Sequence, residues 1–253
     1  MKLFFLVLAR DKIHVDEKVK ELERLGVPYL IICGERLNHP NVIYREPKGK
    51  YDAINFGASF IPKDVEIVAL NDVDTKIYNL QDALEHFDSK NVALVFAKVS
   101  VKEGPQIFFN AIQNVIRRRL LINANGDLML IRRYILERIL PLIPCKAEDS
   151  YILFKILEFK QRVVFCEKCF VETDKTKIAA EEANRKRRTV CGIYQALANT
   201  KGSNLVRLFY TFLPFASPLL LVLGKKGYFG MKGILLGLTD YLRGDQSGFW
   251  QSN

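Results

Sequence analysis

Val65 to Asp74 reads VEIVALNDVD: an apolar run of strand length, Val65 to Leu70, followed without a break by the acidic cluster Asn71-Asp72-Val73-Asp74. A mostly apolar run of this length, broken only by Glu66, suits a strand covered on both faces, as in a parallel sheet. In open α/β sheets, ligands bind just past the carboxyl ends of strands, where Asp72 and Asp74 fall. The segment therefore points both to a doubly covered sheet and to a site at its edge.

The flanking sequence agrees. Lys2 to Ala9 (KLFFLVLA) is a second such run. Val15, Val19 and Leu22 then recur at helical spacing, and Gly26 stands where a C-terminal cap belongs. Val27 to Cys33 is the next buried strand and Val42 to Tyr44 a short third; Tyr51 to Phe60 and Leu80 to Phe87 read as helices and Val92 to Val99 as a further strand. Strand and helix alternate, which argues α/β with a mainly parallel sheet. After Pro105 the alternation loosens into a helix over Ile107 to Leu121, a short extended piece over Gly126 to Ile131, a helix over Glu148 to Phe159 and a strand over Arg162 to Phe165. A long polar helix, Ile178 to Ala198, carries a basic run into apolar sequence.

Of the net charge of +10, +8 lies from Ala183 onward, where ten Lys or Arg face two acids. Leu208 to Gly224 (LFYTFLPFASPLLLVLG) holds no charge, and Gly233 to Thr239 is again apolar. Pro214 and Pro218 would break a simple span, and basic residues on both flanks (Arg207; Lys225, Lys226, Lys232) argue against a single crossing. The expectation is a helical hairpin or interfacial pair that dips into one leaflet, its Lys and Arg residues reading anionic headgroups. The same run also suits a buried helix pair of a soluble protein. The division expected is residues 1–200 as a catalytic domain and 201–253 as an apolar, basic membrane-associated tail. Five cysteines at irregular spacing and a start without a basic leader place the catalytic part in a reducing compartment, at the cytoplasmic face of a membrane.

Two carboxylates one residue apart, Asp72 and Asp74, suit a hard divalent cation that shares its remaining positions with phosphate oxygens, as Mg²⁺ or Mn²⁺ does. Taken alone, such a pair also suits a solvated turn or a cap ahead of the Tyr78 to Phe87 segment. Glu148-Asp149 opens a helix, where acids are also favoured by the helix dipole. Together, one pair that can hold a metal and another that can take a proton are the parts for displacing a phosphate leaving group with a hydroxyl.

With these residues in place the chain resembles the inverting family-two glycosyltransferases of GT-A fold, particularly the membrane-associated branch with cellulose-synthase-like enzymes. Four blocks match in order: Gly49-Lys50-Tyr51-Asp52-Ala53-Ile54-Asn55, Val68 to Thr75 with Asp-x-Asp, Ala147-Glu148-Asp149, and the basic segment Arg185 to Gln195. The resemblance spans about residues 1 to 200. It implies a Rossmann-like mixed sheet and the transfer of a single sugar from a nucleotide-diphosphate sugar to a hydroxyl or phosphate, with a lipid-linked acceptor suggested by the tail. It also implies that Lys50 helps hold the nucleotide, Asp72 contacts the ribose and metal side of the donor, Asp74 binds the metal and Asp149 is the general base. Two departures stand out. Where the cellulose-synthase-like members carry Gln-x-x-Arg-Trp this chain has Arg185, Arg188 and Thr189, so Arg188 is left to pair with the diphosphate, and the missing Trp argues against a processive synthase. Where the family has Asp-Asp-Gly-Ser the chain has Cys33-Gly34-Glu35-Arg36, and Glu35 is expected to replace the base-reading acid.

Cys166-Glu167-Lys168-Cys169 has no second Cys or His pair at zinc-site distance, so a structural role on a strand is expected. Gly224 to Gly237 suits close helix packing or bilayer contact, and Gln106 to Ala124 is expected to shape the acceptor side. Two alternatives remain: an inactive membrane scaffold on the same fold, and a nucleic-acid-binding module. The latter is disfavoured because the basic run lacks interleaved aromatics and leads into apolar sequence.

Overall fold

The structure, a computed structural model, describes residues 1–101, 106–173, 179–201 and 203–245. In β1 (Leu3–Ala9) all seven residues are buried, as the continuous apolar run requires. Helix α1 (Val15–Leu25) ends on Gly26, whose φ of 65° is the left-handed conformation that closes a helix without a Cβ penalty. Strands β2 (Tyr29–Cys33) and β3 (Val42–Tyr44) follow, then α2 (Lys50–Ala58), which opens on Lys50 itself. Next comes β4 (Ile67–Asp72), two residues later at both ends than the run Val65 to Leu70, so Asp72 is the last residue of the strand.

The segment after it departs from expectation. Thr75–Tyr78 is a strand, β5, because Thr75 and Ile77 are buried while Lys76 is exposed: a period of two, not of a helix. The acidic pair thus spans the end of β4 and the turn that leads into β5, and caps no helix. The helix expected over Leu80 to Phe87 is a short α3 (Leu80–Leu84) and a 3₁₀ turn (Glu85–Asp88). Beyond it lie β6 (Val92–Val101), α4 (Gln106–Arg119), β7 (Leu128–Arg132), the short α5 (Arg133–Ile139) and α6 (Glu148–Glu158). Strand β8 (Arg162–Thr173) runs well past Phe165 because it bulges. Cys166 pairs with Ala97, yet the next rung joins Phe170 to Lys98, and the Cys169 N–H donates to Cys166 Sγ across the bulge.

The strands form one eight-stranded mixed sheet in the order β3-β2-β1-β4-β7-β6-β8-β5. Neighbours from β3 to β4 are parallel, and β7 runs antiparallel between β4 and β6. That reversal brings the start of β7 level with the end of β4, Leu128 opposite Asn71. Alternate residues feed two cores. Phe4, Leu6, Val68 and Leu70 pack with Ile54 of α2 and with Ile152 and Ile156 of α6; Phe5, Val7, Ile67 and Ala69 pack with Val15 and Leu22 of α1. At roughly 1.5–3 kcal/mol for each large side chain fully buried, these two layers are the main source of stability.

The long polar helix is α7 (Ala179–Ala198); Ile178, its expected first residue, lies outside the described residues. After it come α8 (Asn204–Ala216), a 3₁₀ turn (Ser217–Leu223) and α9 (Gly224–Leu242). Asn204–Leu242 is 39 residues long with a mean hydropathy of 1.7 in its most apolar window, only 17% of which is buried. It is not one straight rod. Gly224 has a φ of 61°, and the chain doubles back so closely that a Cβ on Gly227 would overlap the Leu220 carbonyl. Helix α9 then returns along α7, where Cβ atoms on Gly233 and Gly237 would stand 2.7 Å and 2.4 Å from the Ala183 and Arg187 carbonyl oxygens. Arg187 grips Asp240 with two donors, the Nη2–Oδ1 bond being 2.7 Å long. Arg207, exposed at the start of α8, donates to the Leu197 carbonyl at 2.9 Å and to that of Thr200, closing the end of α7. The opposite face of α8 is apolar and exposed at Leu205, Leu208, Phe212 and Phe215.

Candidate active site

A cavity of about 540 Å³ opens where β1 and β4 end and β7 begins. Lys50, Asp72, Asp74, Asp149 and Arg188 all line it, drawn from α2, the end of β4 and the turn after it, α6 and α7. Glu35 does not. Gly34 packs so closely on the Arg10 carbonyl that a Cβ there would overlap it, and the next residue, Glu35, lies half exposed with its carboxylate 4.0 Å from Lys12 Nζ.

Lys50 Nζ lies 2.5 Å from Asp72 Oδ2 and 3.9 Å from Glu148 Oε1. Burial of the ammonium opposes its charge, but Asp72 and then Glu148 more than offset this and hold the lysine pKa above its ordinary value. Burial pushes the Asp72 carboxyl up to about 6, with Lys50 opposing and Asp127 and Asp74 adding to the rise. Glu148, only 7% exposed, is pushed up to about 8 by burial and by Asp149 and Asp72, again against Lys50. Glu148, marked in the sequence only as the partner of Asp149, and Asp127, which no motif marks, thus set the charge around Lys50.

The turn bearing Asp72 and Asp74 is tied from below. Thr75 Oγ1 donates to the Asp72 carbonyl at 2.8 Å, and Asn71 Nδ2 donates to Thr75 Oγ1 at 2.9 Å and to the Asp127 carbonyl at 2.6 Å. Lys18, 1% exposed, reaches up from α1 to the Thr75 carbonyl while its ammonium is 2.7 Å from Glu21 Oε2. Glu21 Oε1 in turn accepts the Ile77 N–H at 2.7 Å.

Asp149 is held by backbone. The Gly126 N–H donates to Oδ2 at 3.1 Å and the Ser150 N–H to Oδ1 at 2.6 Å. Burial raises its pKa above the ordinary aspartate value, against the Ser150 bond and the charges of Lys50 and Arg117. A raised carboxylate is the better proton acceptor. Gly192 lets α7 press onto the start of α6: a Cβ there would stand 2.4 Å from the Ala147 nitrogen. Gln195 Oε1 accepts the Lys146 N–H at 3.0 Å, so the helix that carries Arg188 also fixes Glu148 and Asp149.

Arg117 was missed by sequence reasoning. It lines the cavity from α4 at 5% exposure and donates to Asn123 Oδ1 at 3.3 Å and the Ala124 carbonyl at 3.4 Å, bracing the loop that presents Gly126. Its neighbours Arg185 and Lys186 also line the cavity, and burial pulls Lys186 down to about 8.

Among the described residues no group of three His, Cys, Asp or Glu gathers as a metal cage. Asp72 Oδ1 is nonetheless buried without a hydrogen-bond partner, and Asp74 faces the same cavity two residues on. Two carboxylate ligands with one orphaned oxygen fit a cation that draws its other ligands from phosphate and water.

No family model matches the chain, and no curated protein sequence does either. Solved structures do. The mannosyltransferase PcManGT of Pyrobaculum calidifontis, in complex with GDP-Man and Mn²⁺, superposes with a TM-score of 0.73 at 16% identity, over 95% of this chain and 87% of that one. GalNAc-T7 with UDP, GalNAc and Mn²⁺ gives 0.57 at 10% identity, over 96% of this chain and 57% of its own. The glucosyl-3-phosphoglycerate synthase of M. tuberculosis gives 0.54 at 12%, over 77% and 80%. The fold is GT-A, with a long apolar helical segment at its C-terminal end.

Proposed function

We propose that this chain is a metal-dependent inverting glycosyltransferase that moves one sugar from a nucleotide-diphosphate sugar to a hydroxyl or phosphate acceptor, lipid-linked, at the cytoplasmic face of a membrane. Residues 1–200 would be the catalytic part and 201–253 the membrane-contacting part. The observation that carries the reading is the convergence of Lys50, Asp72, Asp74 and Asp149 on one cavity of about 540 Å³ at the carboxyl ends of parallel strands. The fold shared with PcManGT and GalNAc-T7, each in complex with Mn²⁺, supports it.

Asp74 and Asp72 would hold Mn²⁺ or Mg²⁺, which would supply positive charge to neutralise a departing diphosphate. Lys50, charged because two acids flank it, and Arg188 line the same cavity and would pair with that diphosphate. Asp149 accepts the proton of the acceptor hydroxyl as its oxygen bonds to the anomeric carbon. The bond from that carbon to the diphosphate oxygen breaks on the far side, giving inversion in one displacement. The Gly126 and Ser150 N–H groups keep the carboxylate aimed and cost no reorganisation in the transition state.

The test is release of nucleoside diphosphate from UDP- and GDP-sugars by the purified protein, with Mn²⁺ or Mg²⁺ and with or without a lipid extract. Release that needs metal, rises with extract and vanishes in Asp74→Asn and Asp149→Asn is the expected result. No release from any donor, with no metal-dependent nucleotide binding, would favour the inactive scaffold.

A further inference from the structure

One face of α4 changes character along its length. Asn110, Gln113 and Arg117 line the active cavity, whereas Leu120, which follows the last turn in line with the same stripe, lines a separate apolar groove of about 310 Å³. These positions recur at the three- and four-residue spacing that puts side chains on one helical face. Ile122 forms the groove with Leu120, and the very next residue, Asn123, lines the cavity. The far wall is α8, through Leu208, Phe209, Phe212 and Leu213.

Two features say what would lie here. At the polar end, Asn110 is only 8% exposed, yet its Nδ2 donates to nothing, a cost that a ligand oxygen would remove. Arg117, Arg185 and Lys186 line the same end, while Glu182 Oε2 is 3.3 Å from Arg185 Nε. At the apolar end the groove is open, and Leu208 and Phe212 remain 56% and 58% exposed. Donors and cations thus run directly into hydrocarbon.

We propose that this stripe is the acceptor site and that it takes a single hydrocarbon chain carrying a short, phosphate-bearing head. The proposal rests on the glycosyltransferase reading and adds the acceptor's chemical class. Head length follows from the chain's own geometry. Ile122 in the groove and Gly126 beside Asp149 are four residues apart, a reach of at most about 14 Å even fully extended. The reacting oxygen therefore lies within a phosphate and a sugar or two of the hydrocarbon, which places the reaction among early additions to a lipid carrier.

The test measures binding apart from turnover. Decyl phosphate, decanol and inorganic phosphate are titrated calorimetrically into the full-length protein, held in solution by an amphipathic polymer so that no detergent monomer competes. Decyl phosphate should bind at least about tenfold tighter than either half-molecule, and Leu208→Ser with Phe212→Ser should remove about tenfold of that affinity. Asn110→Leu should weaken decyl phosphate and leave decanol unchanged. Phe215→Ser with Val222→Ser, at exposed positions off the groove, should lower vesicle binding while decyl phosphate affinity holds. Decyl phosphate binding no tighter than decanol, or lost equally in the off-groove pair, would overturn the proposal in favour of non-specific lipid contact. A protein that releases nucleoside diphosphate yet does not bind decyl phosphate would sink the groove and spare the transferase. One that binds decyl phosphate but turns over no donor would uphold the groove and sink the transferase.

Discussion

The Gly126 N–H donates to Asp149 Oδ2 over 3.1 Å, and a Cβ at position 126 would stand 3.3 Å from Asp149 Cβ and 3.5 Å from that oxygen. The carboxylate proposed as general base is thus aimed by a residue with no side chain. Gly126→Ala should push the carboxylate aside by a few tenths of an ångström and lower kcat by about tenfold, a loss that small misplacements of reacting groups can produce. Donor affinity should hold because Lys50 and Asp72 are untouched. Asp149→Asn, which cannot take the proton, should lose roughly 10²–10⁴ in kcat with the same donor affinity. Steady-state kinetics with nucleotide binding measured in parallel separates the two terms.

A second glycine makes a stronger prediction. The Cβ of Gly192→Ala would stand 2.4 Å from the Ala147 nitrogen and 2.7 Å from the Lys146 carbonyl carbon, all backbone with nowhere to go. Helix α7 must then move off the start of α6, carrying Arg188 away from Glu148 and Asp149. We expect a folded protein with loss of about 1–3 kcal/mol in stability, the usual cost of overpacking, and with activity down by far more than Gly126→Ala. Thermal unfolding beside turnover distinguishes this from global unfolding.

Sequence patterns recovered what is local. β1 and the apolar part of β4, Ile67 to Leu70, were legible because strands covered on both faces leave few polar positions. Lys50, Asp72, Asp74, Asp149 and Arg188 were legible as short motifs, and the cavity gathers all five. Strand β5 was not, because four residues carry too little periodicity and its pairing with β8 is settled a hundred residues later. Partnerships made only by folding were also hidden: Glu148 beside Lys50, Arg117 behind the Gly126 loop, Lys18 under Thr75. Glu35, expected from its place after β2, lies outside the cavity lining and near Lys12, a placement its short block does not encode.

Glu148 supplies a pH dependence. Its folded pKa of about 8 exceeds the ordinary 4.5, so between these values the folded state binds more protons than the unfolded one, and stability falls as pH rises through that window. Above about pH 8 the protein carries a buried carboxylate that is unfavourable despite Lys50. Glu148→Gln should therefore be at least about 1 kcal/mol more stable than wild type at pH 8.5 and show no gain near pH 4.5. Urea unfolding at the two pH values checks the sign, and an equal gain at both would contradict it.

Lys18 is the deepest test of how the site is held. Its ammonium, 2.7 Å from Glu21 Oε2, also donates to the carbonyl of Thr75, whose Oγ1 holds the Asp72 carbonyl, so a buried cation on α1 grips the turn that presents both acids. Burial lowers the lysine pKa, with Glu21 opposing. Lys18→Met strands Glu21 as a buried unpaired charge and should cost about 3–5 kcal/mol. Lys18→Met with Glu21→Gln removes that charge while the amide oxygen still accepts the Ile77 N–H, so most of the stability should return. The turn would still lack its tether. The double variant should fold like wild type yet need several-fold more Mn²⁺ for half-maximal nucleotide binding, because the two carboxylates are no longer preorganised. Recovery of metal dependence along with stability would reduce Lys18 to a core residue; stability without it makes the lysine part of the metal site's support.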